Sequence, residues 1–491
     1  MRRRNTKIEH RWPAAAKFVR EQKLNEIFDG TMNEVGIVTQ GGMYNVVMRS
    51  LQLLGLADAF GNSKIPIYVL NVTYPLIPEE VTAFCAGKRA VLMVEEGQPA
   101  YIEDALHAIL RRADLQTKLY GKTSAPGGDA VFPAVFPAVF PLAGEYTGET
   151  VLAGISAWLV SAGIDAAAQK TFEALVAPKR RAAELLGAMP PRPPGFCIGC
   201  PERPVFAAMK LIEREVGGIH VSADIGCHTF STLPPFNIGN TVLGYGLGLA
   251  SNAAIDPLFG KRTVTVMGDG GFWHNGLTSG IASNVFNKND GVLVIMKNGY
   301  TSATGTQEIP SSPHQTEWKH GDMGIERALR GIGIDWMKSV YTYRVGNMAK
   351  TLREAMTSSY RGLKVIIADA ECQLERQRRL RPQVAAQLKR GERVVRERFG
   401  IDEDVCSGDH SCIRLSGCPS LTVKDSSDPL KVDPVAHVNN ACVGCGLCGE
   451  VAHAAVLCPS FFRAEIVQNP GVWDRLLSRI RNALIGWMQP A

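Results

Sequence analysis

Short apolar runs and amphipathic stretches alternate along much of this chain. Near the start, residues 35–39 read as a strand, Gly41-Gly42 as a turn and 44–54 as a helix; residues 67–72, 91–95 and 101–111 continue the alternation. Strands alternating with helices predict a parallel sheet. The pattern returns after residue 195. Val221-Ser222-Ala223 runs out into a loop through Asp224, Gly226, Cys227 and His228, and Gly244-Tyr245-Gly246-Leu247-Gly248 opens a helix of small residues. Residues 264–266 form an apolar alternation ending at Gly268-Asp269-Gly270. A helical segment follows, then the apolar run 292–296, which ends at Lys297-Asn298-Gly299.

The stretches between these regions have a different character. Ala-Val-Phe-Pro occurs three times within 130–141, and proline every fourth residue forbids a helix interior or a central strand. Residues 151–176 predict a helix, and Met189-Pro190-Pro191-Arg192-Pro193-Pro194 a stiff connection. Arginines and lysines crowd 376–398, the mark of a solvated helix face. Trp473, Leu476, Leu477, Ile480, Leu484 and Trp487 fall at helical spacing, with Arg475 and Arg479 opposite. The expected organisation is therefore an α/β domain at 1–123, a linker and helical segment with the repeats at 124–194, and a doubly wound α/β domain at 195–375. A basic helical linker at 376–400, a cysteine-rich α+β domain at 401–468 and an amphipathic helix at 469–491 follow.

Composition narrows the class of protein. With 491 residues, 45% hydrophobic and 20% charged, the chain can build several cores. A net charge of +6 is too mild to point to nucleic acid. No apolar run is long enough for a membrane span. The basic start, Met1-Arg2-Arg3-Arg4, has no apolar stretch behind it and does not read as a secretory signal. Twelve cysteines in such a chain point to metal rather than disulfides, and to the cytoplasm.

Two motifs carry the candidate chemistry. Strand, Gly-Asp-Gly, helix, strand, Asn is the plan of a site that binds a diphosphate through a divalent metal. Its glycines let the backbone approach phosphate oxygens, and Asp269 and Asn298 offer hard oxygen ligands suited to Mg²⁺. The glycines at 244–248 do not fit a nicotinamide fingerprint. The second motif is Cys442-x-x-Cys445-x-x-Cys448, a pitch that wraps three corners of a 4Fe–4S cubane. In two-cluster ferredoxins the remote Cys-Pro completes the other cluster, so Cys418 joins Cys442, Cys445 and Cys448. Cys406, Cys412 and Cys458 then remain for a second cluster. Either that cluster is 3Fe–4S, or an oxygen or nitrogen ligand such as Asp409 or His410 fills its fourth corner. Structural zinc is the competing reading of both sets. The pair Cys197-x-x-Cys200 alone is weak and also fits thiol redox chemistry. Cys85 reads as a buried thiol.

Together, Phe196-Cys197-Ile198-Gly199-Cys200-Pro201, Gly268-Asp269-Gly270-Gly271-Phe272-Trp273-His274, residues 298–307 and residues 406–459 resemble the thiamine diphosphate-carrying subunit of the indolepyruvate ferredoxin oxidoreductase family. The resemblance implies a transketolase C-terminal-like first domain, a thiamine diphosphate-binding second domain and a two-cluster ferredoxin-like third. It implies that Gly268, Asp269, Gly270, Asn298, Tyr300 and Thr304 hold the cofactor, with Mg²⁺ on Asp269, Asn298 and the main chain of Tyr300. It also implies a proximal cluster on Cys197, Cys200, Cys227 and Cys372. The implied reaction is oxidative decarboxylation of an aryl 2-oxoacid to its acyl-CoA, with coenzyme A as co-substrate and electrons passing through the clusters to ferredoxin. His274, just past the metal loop, is the candidate for proton exchange with substrate; a structural role is the equal alternative. A pyrimidine-binding domain and its activating glutamate are expected from another chain, alongside a second oxidoreductase subunit. The alternative is a cofactor-binding or electron-relay fragment without turnover of its own.

Overall fold

The computed structural model describes residues 6–122, 139–187, 194–313, 321, 323–456 and 458–485. The repeats up to residue 138, the proline-rich stretch 188–193 and Trp487 lie outside the described residues. The chain forms two compact units, Met1–Pro191 and Arg192–Ala491.

The first unit is built on a five-stranded sheet. Strands β1 (Glu26–Phe28), β2 (Val35–Gln40), β3 (Ile67–Leu70), β4 (Ala90–Val94) and β5 (Lys118–Tyr120) lie in the order β1-β3-β2-β4-β5, parallel except for β1 at the edge. Side chains on a strand point alternately to its two faces, so an apolar run covered on both sides feeds two cores. Val35, Ile37, Ile67 and Leu92 face the helices Tyr44–Leu53 and Gly148–Ser161. Val38, Tyr68, Val91 and Met93 face Pro78–Cys85 and Tyr101–Arg112, and Cys85 is buried there as a plain thiol.

One expectation about this region changes. The helix expected at 151–176 is two helices, Gly148–Ser161 and Ala168–Leu186, separated near Gly163, which takes φ +62°. The helical segment expected within 124–194 packs into the first domain. Val151, Ile155 and Trp158 are completely buried in the first core, where the large apolar side chains of the helix Gly148–Ser161 find their cover.

The second unit contains a six-stranded, all-parallel sheet. Its strands are β6 (Val221–Ala223), β7 (Thr241–Val242), β8 (Val264–Gly268), β9 (Val292–Lys297), and, beyond the small hairpin β10 (Tyr300–Thr301)–β11 (Gln307–Glu308), β12 (Met337–Tyr341) and β13 (Lys364–Asp369). The order is β12-β13-β9-β8-β6-β7. Helices Arg203–Val216 and Val345–Thr357 cover one face; Gly248–Ile255, Ile325–Gly331 and a helix beginning at Asp269 cover the other. From β6 the chain moves outward to β7, whereas from β8 it moves the opposite way to β9. The carboxyl ends of β6 and β8 therefore flank the switch point at which doubly wound sheets open a ligand crevice.

Beyond this sheet stand two antiparallel ribbons: β14 (Val394–Ile401) with β17 (Phe461–Gln468), and β15 (Leu421–Lys424) with β16 (Val435–Val438). Short helices Ser411–Ser416 and Leu447–Val456 pack together beside them. The basic linker expected as helical throughout 376–400 is helical only through Lys389. Gly391, at φ +73°, stops the helix, and the chain then enters β14. The final helix, Val472–Ile485, leaves Trp473, Leu477 and Leu484 exposed, while Arg393 clamps Asp474 in a bidentate ion pair. Among the described residues no helix is long and apolar enough to cross a membrane.

Candidate functional site

A cavity of about 190 Å³ opens at the switch point. Its walls come from the loops after β6 (Ile225 to His228), after β8 (Gly268 to Gly271) and after β9 (Asn298 and Tyr300 to Thr304), with Glu202 and Tyr245. Register brings the strands together here, with Gly268 of β8 beside Met296 of β9, so Asp269 and Asn298 leave adjacent strands at the same level.

Asp269 fastens the two loops. One carboxylate oxygen accepts the backbone N–H groups of Asn298 (2.9 Å) and Gly299 (2.6 Å); the other accepts that of Gly270 (3.0 Å). Gly299 sits at φ +89° against Pro313, a conformation that favours glycine. Asn298 Oδ1 accepts from Tyr300 N (3.2 Å) and Ser302 Oγ (2.9 Å). Its Nδ2 donates to Glu202 Oε1 at 3.3 Å. A side chain at Gly270 would meet Thr301 Oγ1 and the Tyr245 hydroxyl, and one at Gly271 would meet the Asp224 carboxylate, so both must be glycine for the cradle to close. Gly268 faces no such crowding: its nearest neighbour would be His228, at 3.6 Å. Thr304 lines the cavity, its hydroxyl donating to Gln307 Oε1 at 2.8 Å. Lys297, the residue before Asn298, is paired with Glu326 and Asp369, each at 3.1 Å, and does not line the cavity.

Three buried carboxyls converge on this region, and burial pushes each upward. Glu202 rises to about 8, through burial and then the nearby Asp269 charge, with Asn298 holding it partly down. Asp269 rises to about 7 through burial, opposed by the N–H groups of Gly299, Asn298 and Gly270. Asp224 also rises to about 7 through burial, opposed by the N–H groups of Ile225, Gly246 and Leu247. Burial lowers His228 to about 4, so its imidazole is neutral near pH 7. Glu202 Oε2, Asp224 Oδ2 and both ring nitrogens of His228 are buried without a hydrogen-bond partner among the described residues. Buried polar atoms without partners are uncommon in folded proteins. A hard divalent cation beside Asp269 and Asn298 fits this donor set, because its charge offsets what burial imposes on the carboxyls.

His274 stands elsewhere. It is exposed, its ring 5.0 Å from that of Tyr245 and outside the cavity lining. The imidazole in the wall is His228, 4.0 Å from Glu202. Sequence reasoning named neither His228 nor Glu202 as a site residue. Glu202 lies two residues after Cys200 and His228 directly after Cys227, both cysteines already singled out, and His228 follows a strand end of the same kind as Asp269, which was the available signal.

The fold brings cysteines distant in sequence close together. Cys197, Cys200, Cys227 and Cys372 line one hollow, which shares Glu202, Cys227, Asn298 and Ser302 with the main cavity. Cys418, Cys442, Cys445 and Cys448 line another, together with Ile198. Cys406, Cys412 and Cys458 belong to a small cluster with Leu421, Ala436 and Phe461 that also takes in Cys418 and Cys448 of the neighbouring set. Asp409 accepts from Ser411 N (3.1 Å) and Ser411 Oγ (2.9 Å), and His410 Nε2 meets Pro434 O at 2.8 Å, so both candidate fourth ligands are engaged locally. All twelve thiols are free. Among the described residues no three His, Cys, Asp or Glu side chains close on one point as they would around a single ion. Two of the sets, Cys197/Cys200/Cys227/Cys372 and Cys418/Cys442/Cys445/Cys448, instead border hollows, an arrangement in which a polynuclear core would stand between the sulfurs. A broad groove of about 510 Å³ runs past Cys442 and Cys445, lined by Arg376, Arg381, Arg396 and Arg398.

The model of the thiamine pyrophosphate enzymes' C-terminal, TPP-binding domain matches residues 224–368, the span that builds this cradle. Fold, site and matched domain thus point to one class: residues 224–368 are similar to the TPP-binding domain of thiamine pyrophosphate enzymes. Over most of its length the chain is similar to the indolepyruvate oxidoreductase subunit IorA. It is 27% identical to that of Methanothermobacter thermautotrophicus over 449 residues, covering 89% of this chain and 62% of the relative. It is 26% identical to that of Archaeoglobus fulgidus over 445 residues, covering 90% and 62%. The chain therefore spans somewhat over half the length of these curated relatives. A solved 2-oxoglutarate:ferredoxin oxidoreductase from Magnetococcus marinus, with 2-oxoglutarate, coenzyme A and succinyl-CoA bound, is 18% identical at a TM-score of 0.33, covering 38% of this chain and 66% of that one.

Proposed function

We propose that this chain is the cofactor-bearing subunit of a 2-oxoacid:ferredoxin oxidoreductase, acting on aryl 2-oxoacids such as indolepyruvate, with coenzyme A as acyl acceptor and ferredoxin as electron acceptor. The observation that carries the reading is the common wall. Cys227, Glu202 and Asn298 border both the diphosphate-and-metal cradle and the hollow of the Cys197/Cys200/Cys227/Cys372 set. A site that only decarboxylates has no use for four thiols at its edge; one that must hand on electrons does.

In this reading Asp269, Asn298 and the Tyr300 main chain hold Mg²⁺, while the Gly268–Gly270 backbone and Thr304 hold the diphosphate. When bound, thiamine diphosphate supplies the electron sink that a 2-oxoacid needs to lose carbon dioxide. The protein keeps a neutral His228 and an easily protonated Glu202 in the cavity wall, within 4.0 Å of each other, able to take or give a proton there. His274 then has a surface role. The Cys197, Cys418 and Cys406 sets would carry electrons outward. The arginines of the groove over Cys442 and Cys445 would meet an acidic carrier there. A second oxidoreductase subunit completes the assembly.

The test is indolepyruvate-dependent reduction of a viologen dye with thiamine diphosphate, Mg²⁺ and coenzyme A, by the chain alone and with its partner subunit. Asp269→Ala should lose the cofactor on desalting and abolish dye reduction. Thiamine retained at the wild-type level by that variant would refute the metal assignment, and equal activity on 2-oxoglutarate would refute aryl preference.

A further inference from the structure

Cys-x-x-Cys-Pro-Glu is followed by Arg203, the first residue of the helix Arg203–Val216. That helix buries Val205, Phe206, Met209 and Ile212 against the sheet, and Arg203 goes in with them, at 0% exposure. A guanidinium does not shed its proton in a protein, so this is a permanent charge in the interior. Such a charge is costly unless an anion or strong acceptors compensate it. The compensation visible is slight. Nη1 donates to Ser416 O at 2.9 Å, whereas Nε and Nη2 are buried with no hydrogen-bond partner. Among the described residues no carboxylate stands within ion-pair distance of it.

What surrounds the guanidinium is sulfur. Cys418, Cys445 and Cys200, with Tyr343, lie near enough for a negative charge on any of them to act on it. They belong to two different sets, and those sets abut at this point. Ile198, inside the Cys197–Cys200 loop, lines the hollow of the Cys418/Cys442/Cys445/Cys448 set. A side chain on Gly199 would press on Val443, between Cys442 and Cys445. Ser416, whose carbonyl takes the one Arg203 hydrogen bond, lies two residues before Cys418. Tyr343 donates its hydroxyl to Gly199 O and closes the seam on the remaining side.

We propose that Arg203 is the shared counter-cation of two thiolate-bound clusters, one on Cys197/Cys200/Cys227/Cys372 and one on Cys418/Cys442/Cys445/Cys448, raising the reduction potential of both. The inference rests on the cluster reading above. Each cluster gains one negative charge when it takes up an electron, and a fixed cation with spare N–H donors stabilises that reduced form. Because one charge serves both sets, it favours electron uptake from the thiamine site and onward transfer without holding the electron at either. Arg203 is a positioning residue in this sense: it acts through the sulfurs and touches no substrate. The Cys406/Cys412/Cys458 set is not among the groups so placed about Arg203.

The experiment is a dye-mediated redox titration followed by electron paramagnetic resonance, on the full chain purified without oxygen, as wild type, Arg203→Met and Arg203→Lys. Iron and acid-labile sulfide are counted in each. Methionine keeps much of the bulk and removes the charge. It should make one-electron uptake at least tenfold less favourable in two of the clusters, a fall of about 59 mV or more, and leave the third in place. Lysine should restore most of the loss, which a merely structural role would not do. A fully iron-loaded Arg203→Met with unchanged midpoints overturns the proposal. Should that variant not fold, ¹⁵N-arginine labelling of the wild type and of Arg203→Lys decides. Guanidine ¹⁵N coupling to both reduced clusters, lost in the lysine variant, supports the proposal, and no coupling in the wild type overturns it. A wild-type chain without iron instead overturns the cluster reading and this inference with it, so the two failures are distinguishable.

Discussion

Gly271→Ala tests how tightly the cradle is built. A β-carbon on Gly271 would fall well inside 3.0 Å of Asp224 Oδ2, with Asp224 Cγ at 3.2 Å and the Gly246 nitrogen at 3.4 Å. Asp224 cannot simply rotate away. It is completely buried, and its other oxygen accepts the N–H groups of Ile225 (2.7 Å) and Gly246. Inserting a methyl group into a packed interior costs about 1–3 kcal/mol. Pulling Asp224 off one buried N–H adds about 1–3 kcal/mol for the donor left unpaired. The sum, about 2–6 kcal/mol, should appear as a lower urea midpoint for the second unit at unchanged slope. Asp224→Ala removes the clashing oxygen, so in that background the alanine at 271 should cost under about 1 kcal/mol, a coupling that a double-mutant cycle reads directly. A single variant within about 0.5 kcal/mol of wild type, or an equal cost in both backgrounds, would refute the steric reasoning.

Other outcomes follow from the charges. The folded-state values of Asp269 and Asp224 (about 7) and Glu202 (about 8) lie above their unfolded values near 4. Their contribution to stability is therefore full below about pH 4 and is lost as pH rises through 7 to 8. His228 has the opposite sign, its contribution being lost as pH falls from 6.5 towards about 4. Between pH 6.5 and 8 only the carboxyls act, and the urea midpoint of the cofactor-free chain should fall over that window. Mg²⁺ with thiamine diphosphate should raise it more at pH 8 than at pH 6.5; a flat or rising cofactor-free profile there would contradict the burial argument. At the amino-terminal ends of β9 and β13, Asp290 holds the fully buried Lys364, with Arg262 at 3.3 Å and Arg361 at 2.9 Å. Asp290→Ala leaves the buried lysine without its anion and should cost about 3–5 kcal/mol in thermal or urea unfolding. A loss under about 1 kcal/mol would show that the pair is effectively solvated.

What the sequence by itself determined is the part of the protein whose causes are local. Alternating apolar runs ending in Gly-Asp-Gly and in Asn-Gly located β8, β9 and the two loops that Asp269 joins, because a strand and the loop leaving it are set by consecutive residues. The Cys-x-x-Cys-x-x-Cys pitch placed Cys442, Cys445 and Cys448 together for the same reason, and all three line one hollow. The tertiary structure decided everything that depends on residues distant in sequence. Residues 394–401 carry enough charge to pass for the end of a basic helix, yet they form a strand because Phe461–Gln468 supplies the hydrogen-bonding partner. Glu202 and His228 enter the cavity, and His274 stays out of it, through the packing of Arg203–Val216 and the loop after β6 rather than through any feature of their own neighbourhoods. Arg203 shows the limit most plainly. In the sequence it is one basic residue after a Cys-x-x-Cys; in the fold it is a buried cation between two sets of thiols, because Ser416, Cys418 and Cys445 come to it from more than 200 residues along the chain. Periodicity records which face of an element is apolar, and only the assembled core determines what that face buries beside it.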